Sequence, residues 1–164
     1  MPAGNTYEAI FTETLASAQT SVTFSSIPST YTDLVIVYDG TTASNAYPSI
    51  RFNGDTGTNY SATVIRGNGS AAGSTRFSSA NEMDIAMGSP LSTSQNNIII
   101  QVMNYSNTTT YKTVLARTNN ASVETGAGVG LWRSTSAINS ITIKTNSPNF
   151  AIGSTFSLYG IKAA

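Results

Sequence analysis

A chain of 164 residues and 17.1 kDa matches a single domain and is long enough to bury a core without disulfide staples. Eight Lys and Arg balance eight Asp and Glu, and charged residues make up only 10% of the chain, against about 25% in an ordinary domain. Nothing in the overall charge therefore favours nucleic acid or an anionic membrane as a partner. The chain has neither His nor Cys, which excludes disulfides, thiolate zinc centres, imidazole metal sites and His-based triads.

Neutral Ser, Thr, Asn and Gly carry the polarity. A hydrophobic fraction of 40% with 9% aromatics argues against a disordered linker. No apolar run approaches the roughly 20 residues of a membrane helix. Met1-Pro2-Ala3-Gly4-Asn5 offers neither a basic nor an apolar segment of the kind that opens a secretory signal, so export by that route is not expected.

In chain order, short alternating or β-branched apolar runs stop at Gly, Pro, Asn or Ser, which predicts an all-β chain. Strands are expected at Tyr7 to Thr14, Val22 to Phe24 and Thr32 to Asp39. In the last, Leu34, Ile36 and Tyr38 oppose Val35 and Val37, which predicts a central strand covered on both faces. Thr14 to Gln19 reads as a turn of helix or a loop. Tyr47 to Phe52 follows, confined by Pro48 to an edge or a strand start. Asn53-Gly54-Asp55-Thr56-Gly57 predicts a tight hairpin turn, with Tyr60 to Arg66 returning from it. Gly67 to Ser74 is expected to be a long exposed loop. Further strands are read around Phe77, at the Met83/Ile85/Met87 alternation, and at Asn97 to Tyr105, Tyr111 to Arg117, Gly128 to Arg133, Ile138 to Thr145 and Thr155 to Ile161.

So many short strands in one open sheet would leave a face uncovered. The expected fold is therefore an antiparallel two-sheet β-sandwich, jelly-roll-like, of about ten to twelve short strands. Residues 1–6 are read as an N-terminal arm and 7–164 as a single domain. Threonine suits a pleated outer face, and its hydroxyl supplies hydrogen bonds without charge. Edges so poor in charge favour association with other subunits.

The residues available for catalysis are four Glu, four Asp, three Lys and the tyrosines. Glu8 and Glu13 lie at opposite parity and should face opposite ways. Glu82 and Asp84 are the close acidic pair, yet the sequence does not mark them as the paired carboxylates of a glycosidase. Asp55 is read as a cap on backbone N–H groups of its turn. The alternative, a cation site formed with Asn53 and Asn59, lacks dense acidic spacing. No catalytic residue, cofactor or metal site is expected, and the chain is read as a non-enzyme. Asn-X-Ser/Thr triplets at Asn59, Asn68, Asn104, Asn107 and Asn120 are what chance gives in so Ser/Thr-rich a chain. Contacts are expected instead at Pro2, Asn5 and Tyr7 in the arm, Asn53 and Asp55 in the turn, Asn68 and Ser70 in the Gly-rich loop, and Trp132 with Arg133. Trp132 could equally be core.

Four stretches taken together, VTFSSIPSTYTDLVIV (Val22 to Val37), RFNGDTGTNYS (Arg51 to Ser61), GLWRSTSAINSITI (Gly130 to Ile143) and FAIGSTFSLYGI (Phe150 to Ile161), resemble small structural proteins of tailed bacteriophages. The resemblance runs from about residue 7 to 162 and is carried by packing and turn elements rather than a catalytic signature. It implies a non-enzymatic virion protein: a capsid decoration (cement) protein bound at subunit junctions, stabilising the shell against DNA pressure. The implied partners are the major capsid protein and copies of itself, as a homotrimer. The implied location is the capsid surface, after assembly in the bacterial cytoplasm. A tail-fibre module that recognises a host glycan is the alternative.

Overall fold

The computed structural model describes residues 6–86, 90–120 and 123–162. Among these residues the regular structure is strand throughout. Twelve strands follow in order: β1 (Tyr7–Thr14), β2 (Ser21–Phe24), β3 (Asp33–Gly40), β4 (Ser49–Phe52), β5 (Tyr60–Gly67), β6 (Ala72–Ala80), β7 (Met83–Asp84), β8 (Asn96–Met103), β9 (Lys112–Asn120), β10 (Glu124–Trp132), β11 (Ile141–Lys144) and β12 (Thr155–Ile161). They form an antiparallel two-sheet β-sandwich, jelly-roll-like. The larger sheet has eight strands in the order β1-β12-β3-β8-β9-β10-β5-β6, and the smaller has four, β2-β11-β4-β7.

Alternation explains the core. Leu34, Ile36 and Tyr38 on β3 and Ile98, Ile100 and Val102 on β8 point to the small sheet and are buried. Val22, Phe24, Ile50, Phe52, Ile141 and Ile143 reply from the other side. Two aromatic clusters mark the ends of this core. Tyr38, Phe150 and Phe156 meet at centroid distances of 4.9 to 5.5 Å, and Phe52, Tyr60 and Trp132 at 5.5 to 6.3 Å. On the surface, hydroxyls pair across strands, with Thr12 beside Ser157 at 3.2 Å and Thr23 beside Thr142 at 2.9 Å.

Several sequence expectations are corrected. β3 is central, but only one of its faces meets the small sheet; Val35 and Val37 belong to the outer face of the large sheet. The Asn53–Gly57 turn does not close a hairpin. β4 lies in the small sheet and β5 in the large one, and the seven residues between Phe52 and Tyr60 carry the chain across the sandwich. Asn53 and Gly54 do adopt the positive φ values, 52° and 67°, expected of this turn. The exposed loop at Gly67 shrinks to Asn68–Ala71, because Ala72, Gly73 and Ser74 pair with β5. Glu8 and Glu13 face the same side: the bulge between Ala9 and Phe11 inserts a residue, so they oppose Gly160 and Phe156, which share a face of β12. Pro48 precedes β4, an interior strand, so it marks a start and not an edge. Leu15 to Gln19 form a connection rather than a helical turn. Met87 lies outside the described residues.

β10 has an inverted pattern. Its core-facing positions are Gly126, Gly128 and Gly130, while Thr125, Ala127, Val129 and Leu131 face outward. The space above Gly130 is filled by the Met83 side chain from β7. At the opposite end of the sheet, the Tyr31 ring lies flat on Gly160 where any Cβ would stand.

That contact gives a stability test. Gly160→Ala forces a rigid ring to move, and overpacking of this kind costs about 1–3 kcal/mol. Urea denaturation should show that loss in the single variant, and most of it should vanish when the substitution is made in a Tyr31→Ala background.

Burial also pushes the Tyr38 and Tyr60 phenols up to about 12. The unfolded chain ionises them near pH 10, so the native state holds more protons in between and stability should fall as pH rises from about 10 to about 12. A loss on the order of 2 kcal/mol per tyrosine is expected, read as a fall in urea-denaturation stability across that window that Tyr38→Phe reduces.

Candidate functional site

The turn expected to present contacts is occupied in holding the sandwich together. Asp55 accepts from Gly57 N–H at 2.8 Å, from Asn59 Nδ2 at 2.9 Å and from Trp132 Nε1 at 2.7 Å. Burial alone would raise its carboxyl pKa, but these donors from Asn59, Trp132 and Gly57 together hold it below the ordinary aspartate value. Tyr60 Oη accepts from Phe52 N–H at 3.0 Å, so the end of β4 is capped from the opposite sheet. Asn53 Nδ2 donates to Ala137 O, and its Oδ1 accepts from the N–H groups of Asn139 and Ser140. Asn53 is thus directed away from Asp55, and the pair forms no cation site. Trp132 is only 2% exposed and belongs to the core. Arg133 donates to Ser61 Oγ and to the carbonyls of Thr58 and Tyr60. Asn53, Asp55 and Arg133 hold the inter-sheet crossing, and Trp132 fills the core beneath it.

Asn68 Oδ1 accepts from Ser70 and Ala71 N–H, which places Asn68 and Ser70 at the exposed tip of the β5–β6 hairpin. They cap that turn and stand apart from any cluster of functional groups. Tyr7 opens β1 and is 58% exposed. Pro2 and Asn5 lie outside the described residues.

The close acidic pair, Glu82 and Asp84, lines one hollow of about 480 Å³ with Tyr47, Arg66 and Asn146. Glu82 pairs with Arg51 at 2.8 Å and Lys144 at 2.9 Å. Burial would raise its carboxyl, but Lys144, Ser49 and Arg51 hold it below the ordinary value. Asp84 accepts from Ala86 N–H at 2.9 Å. Among the described residues no three carboxylates converge as a metal site would require. Lys112 is fully buried, and burial lowers its ammonium pKa. Its Nζ donates to the carbonyls of Thr110 and Thr135 at 2.8 and 3.3 Å.

The unassigned surface is the outer face of the large sheet. Register aligns Val35, Gln101, Leu115, Val129, Thr63 and Arg76 in one row across five inter-strand pairings. The adjacent row holds Val37, Ile99, Arg117, Ala127, Ile65 and Ser74. Ile65 is 64% exposed, Val129 53% and Leu115 41%, an aliphatic band of the kind that marks an interaction surface. The face curves inward: Tyr7 on β1 lines the same hollow as Leu115 and Arg117 on β9, four strands away in the sheet order. A larger concavity of about 700 Å³ lies between β9 and β6, lined by Ile65, Arg66, Arg117, Thr125 and Ala127 with small residues around them. Sequence reasoning missed these residues. The signal was the Gly-X-Gly-X-Gly spacing of β10, in which the bulky residues alternate with glycines and so face away from the core.

No family model matches the chain, and no curated protein matches it. Among solved structures it is similar to a tetrameric galectin from the ball sponge Cinachyrella sp., at 9% identity and a TM-score of 0.41, over 86% of this chain and 99% of that one. It is also similar to a mutant of alginate lyase Aly36B in complex with alginate trisaccharide, at 9% identity and a TM-score of 0.33, over 92% of this chain and 81% of that one.

Removing the Asp55 carboxylate leaves the Trp132 indole N–H without its acceptor. Asp55→Ala should therefore lose about 2 kcal/mol, read by chemical denaturation. Because the native pKa of Asp55 is lowered, its contribution is present above the ordinary aspartate value and lost as pH falls through the native one. Asp55→Asn should flatten that part of the acid limb.

Proposed function

We propose that this protein is a non-enzymatic structural subunit of a tailed-phage virion, acting as a decoration protein on the capsid surface. The observation that carries the reading is the concave outer face, where Leu115, Val129 and Ile65 stand exposed on a rigid eight-stranded scaffold. Aliphatic side chains held in a sheet gain nothing from water and offer no hydrogen bond to a substrate; they stabilise a contact when another protein covers them. The resemblance of the four sequence stretches to virion proteins supplies the setting, and the low charge suits an association that salt does not weaken. Repetition around a capsid symmetry axis sums modest contacts by avidity. The trimer and the capsid junction are part of this proposal.

A second reading, host-glycan recognition by a tail component, is favoured by one observation. Exposed Tyr7 shares its hollow with Gln101 and Arg117, and an aromatic ring beside planar polar groups suits a sugar.

Quantifying the protein in purified particles tests the assignment. Hundreds of copies per particle are expected for the shell, whereas a handful would reassign it to the tail and none would end the virion reading. In the same system, Leu115→Glu with Val129→Glu should leave the monomer folded and abolish attachment to undecorated capsids. Unchanged attachment would remove this face from the interface.

A further inference from the structure

Eight basic side chains are distributed over the fold, and six are satisfied within it. Arg51 and Lys144 share Glu82, Arg66 faces Glu124, and Lys162 faces Glu8. Arg133 and Lys112 donate to backbone carbonyls. Arg76 and Arg117 have no hydrogen-bond or ion-pair partner among the described residues, and both stand on the concave face. Arg117 is in register with Ile99 and Ala127, one row from Leu115. It lies where three hollows meet, of about 700, 220 and 90 Å³. Arg76 edges a fourth, of about 310 Å³, together with Val129 and Leu131.

Accepting the reading of this face as a docking surface, we infer that its occupant is a convex or extended protein segment carrying carboxylate side chains between apolar ones, with one carboxylate received by Arg117 and a second by Arg76. The reasoning is energetic. A partner that covers Leu115, Ile99 and Ile65 must cover Arg117 as well, because it stands among them. A guanidinium taken out of water without a partner is strongly unfavourable, whereas one met by a carboxylate with two parallel hydrogen bonds is not. An apolar partner without acids would be rejected by the same residues that attract an acidic one.

The surface itself supplies no such acid. Asp33 and Asp39 stand at the two ends of β3. Asp33 is held by Gln101 and by Asn104 N–H, and Asp39 by Gln95. A second copy of this face is a poor occupant, since two concave sheets meet only at their rims. A sugar chain is a poor one too, because Ile65, Val129 and Leu115 would leave its hydroxyls unpaired. The two arginines are three inter-strand spacings and one row apart, about 16 Å. Carboxylates four residues from one another on an extended segment share a face and lie about 14 Å apart, a spacing that two flexible arginine side chains can meet.

The probes are two capped peptides, acetyl-Leu-Ser-Glu-Ser-Leu-Ser-Glu-Ser-Leu-amide, whose Leu and Glu share one face when extended, and its Gln-for-Glu counterpart, titrated into the full-length protein while the arginine side-chain N–H signals are followed by NMR. The acidic peptide should shift the Arg117 and Arg76 signals and bind at least about tenfold more tightly than the neutral one. Arg117→Gln should remove most of that difference and Arg117→Lys only part of it, with the melting temperature unchanged because the side chain is exposed. Equal binding of the two peptides, abolished by Val129→Glu, would overturn the role of the arginines while leaving the docking face in place. Failure of both peptides, or shifts produced only by an oligogalacturonate control, would overturn the protein segment as the occupant. Retention of peptide binding in the Leu115→Glu, Val129→Glu variant would instead overturn the docking face.

Discussion

A sheet of eight strands packed on a sheet of four can bury only one of its own faces. The unequal widths set everything that follows in this molecule. The small sheet claims Leu34, Ile36, Ile98, Ile100 and their neighbours, so the opposite face of the same strands has no second sheet above it among the described residues. In most antiparallel sheets such a face is dressed with charge. Here threonine, asparagine and aliphatic residues occupy it, and inward curvature half-shelters Val37 and Ile99. β10 shows the same economy from the inside. At Gly130 the core position is glycine because Met83 already fills the space above it, while its neighbours Val129 and Leu131 face outward.

The crossing between sheets makes this surface rigid. Between β4 and β5 the chain leaves one sheet and joins the other, and three kinds of contact hold the passage. Asp55 binds the Trp132 indole, Tyr60 Oη caps Phe52, and Asn53 fastens the turn to the connection before β11. β5 and β10, which carry Ile65 and Val129, are thereby anchored at their Tyr60 and Trp132 ends. A surface held this way presents its side chains with little conformational entropy left to lose on binding. Asn53, Asp55 and Trp132, which sequence reasoning favoured as contacts, are thus also residues that brace the proposed docking face.

What the sequence revealed, and what it did not, divides along the same physical line. Period-two alternation is local, so the bounds of β1 and β12 could be read directly from Tyr7–Thr14 and Thr155–Ile161. Sheet membership is not local: Asn-Gly dictates a sharp reversal, but whether β5 returns beside β4 or crosses over depends on Trp132, 77 residues away from Asp55. The β1 bulge was equally invisible, and it alone turns Glu8 and Glu13 to one side. Trp132 and Tyr60 illustrate the limit for sites. Composition identifies them as large amphipathic groups, and only packing decides that they are core. The outer-face residues had a legible parity, Leu115 with Arg117 and Val129 with Leu131, but parity does not say which face is covered until the opposing sheet is counted.

A low-charge protein gives each unpaired charge unusual weight. With 10% charged residues, steering by the general field is weak, and discrimination falls to single desolvation events. Pairing the other basic side chains inside the fold removes them from this competition and leaves the concave face with two arginines set among aliphatic neighbours. Aliphatic area supplies attraction without selectivity, since any apolar surface of suitable curvature would gain from covering it. A guanidinium that docking would bury supplies selectivity without requiring much area, because a partner that fails to pair it forfeits several kcal/mol of what the aliphatic contacts provide. On the proposed docking reading, the combination would let a neutral, hydroxyl-rich domain stay inert toward most surfaces and still adhere to one that pairs the arginines.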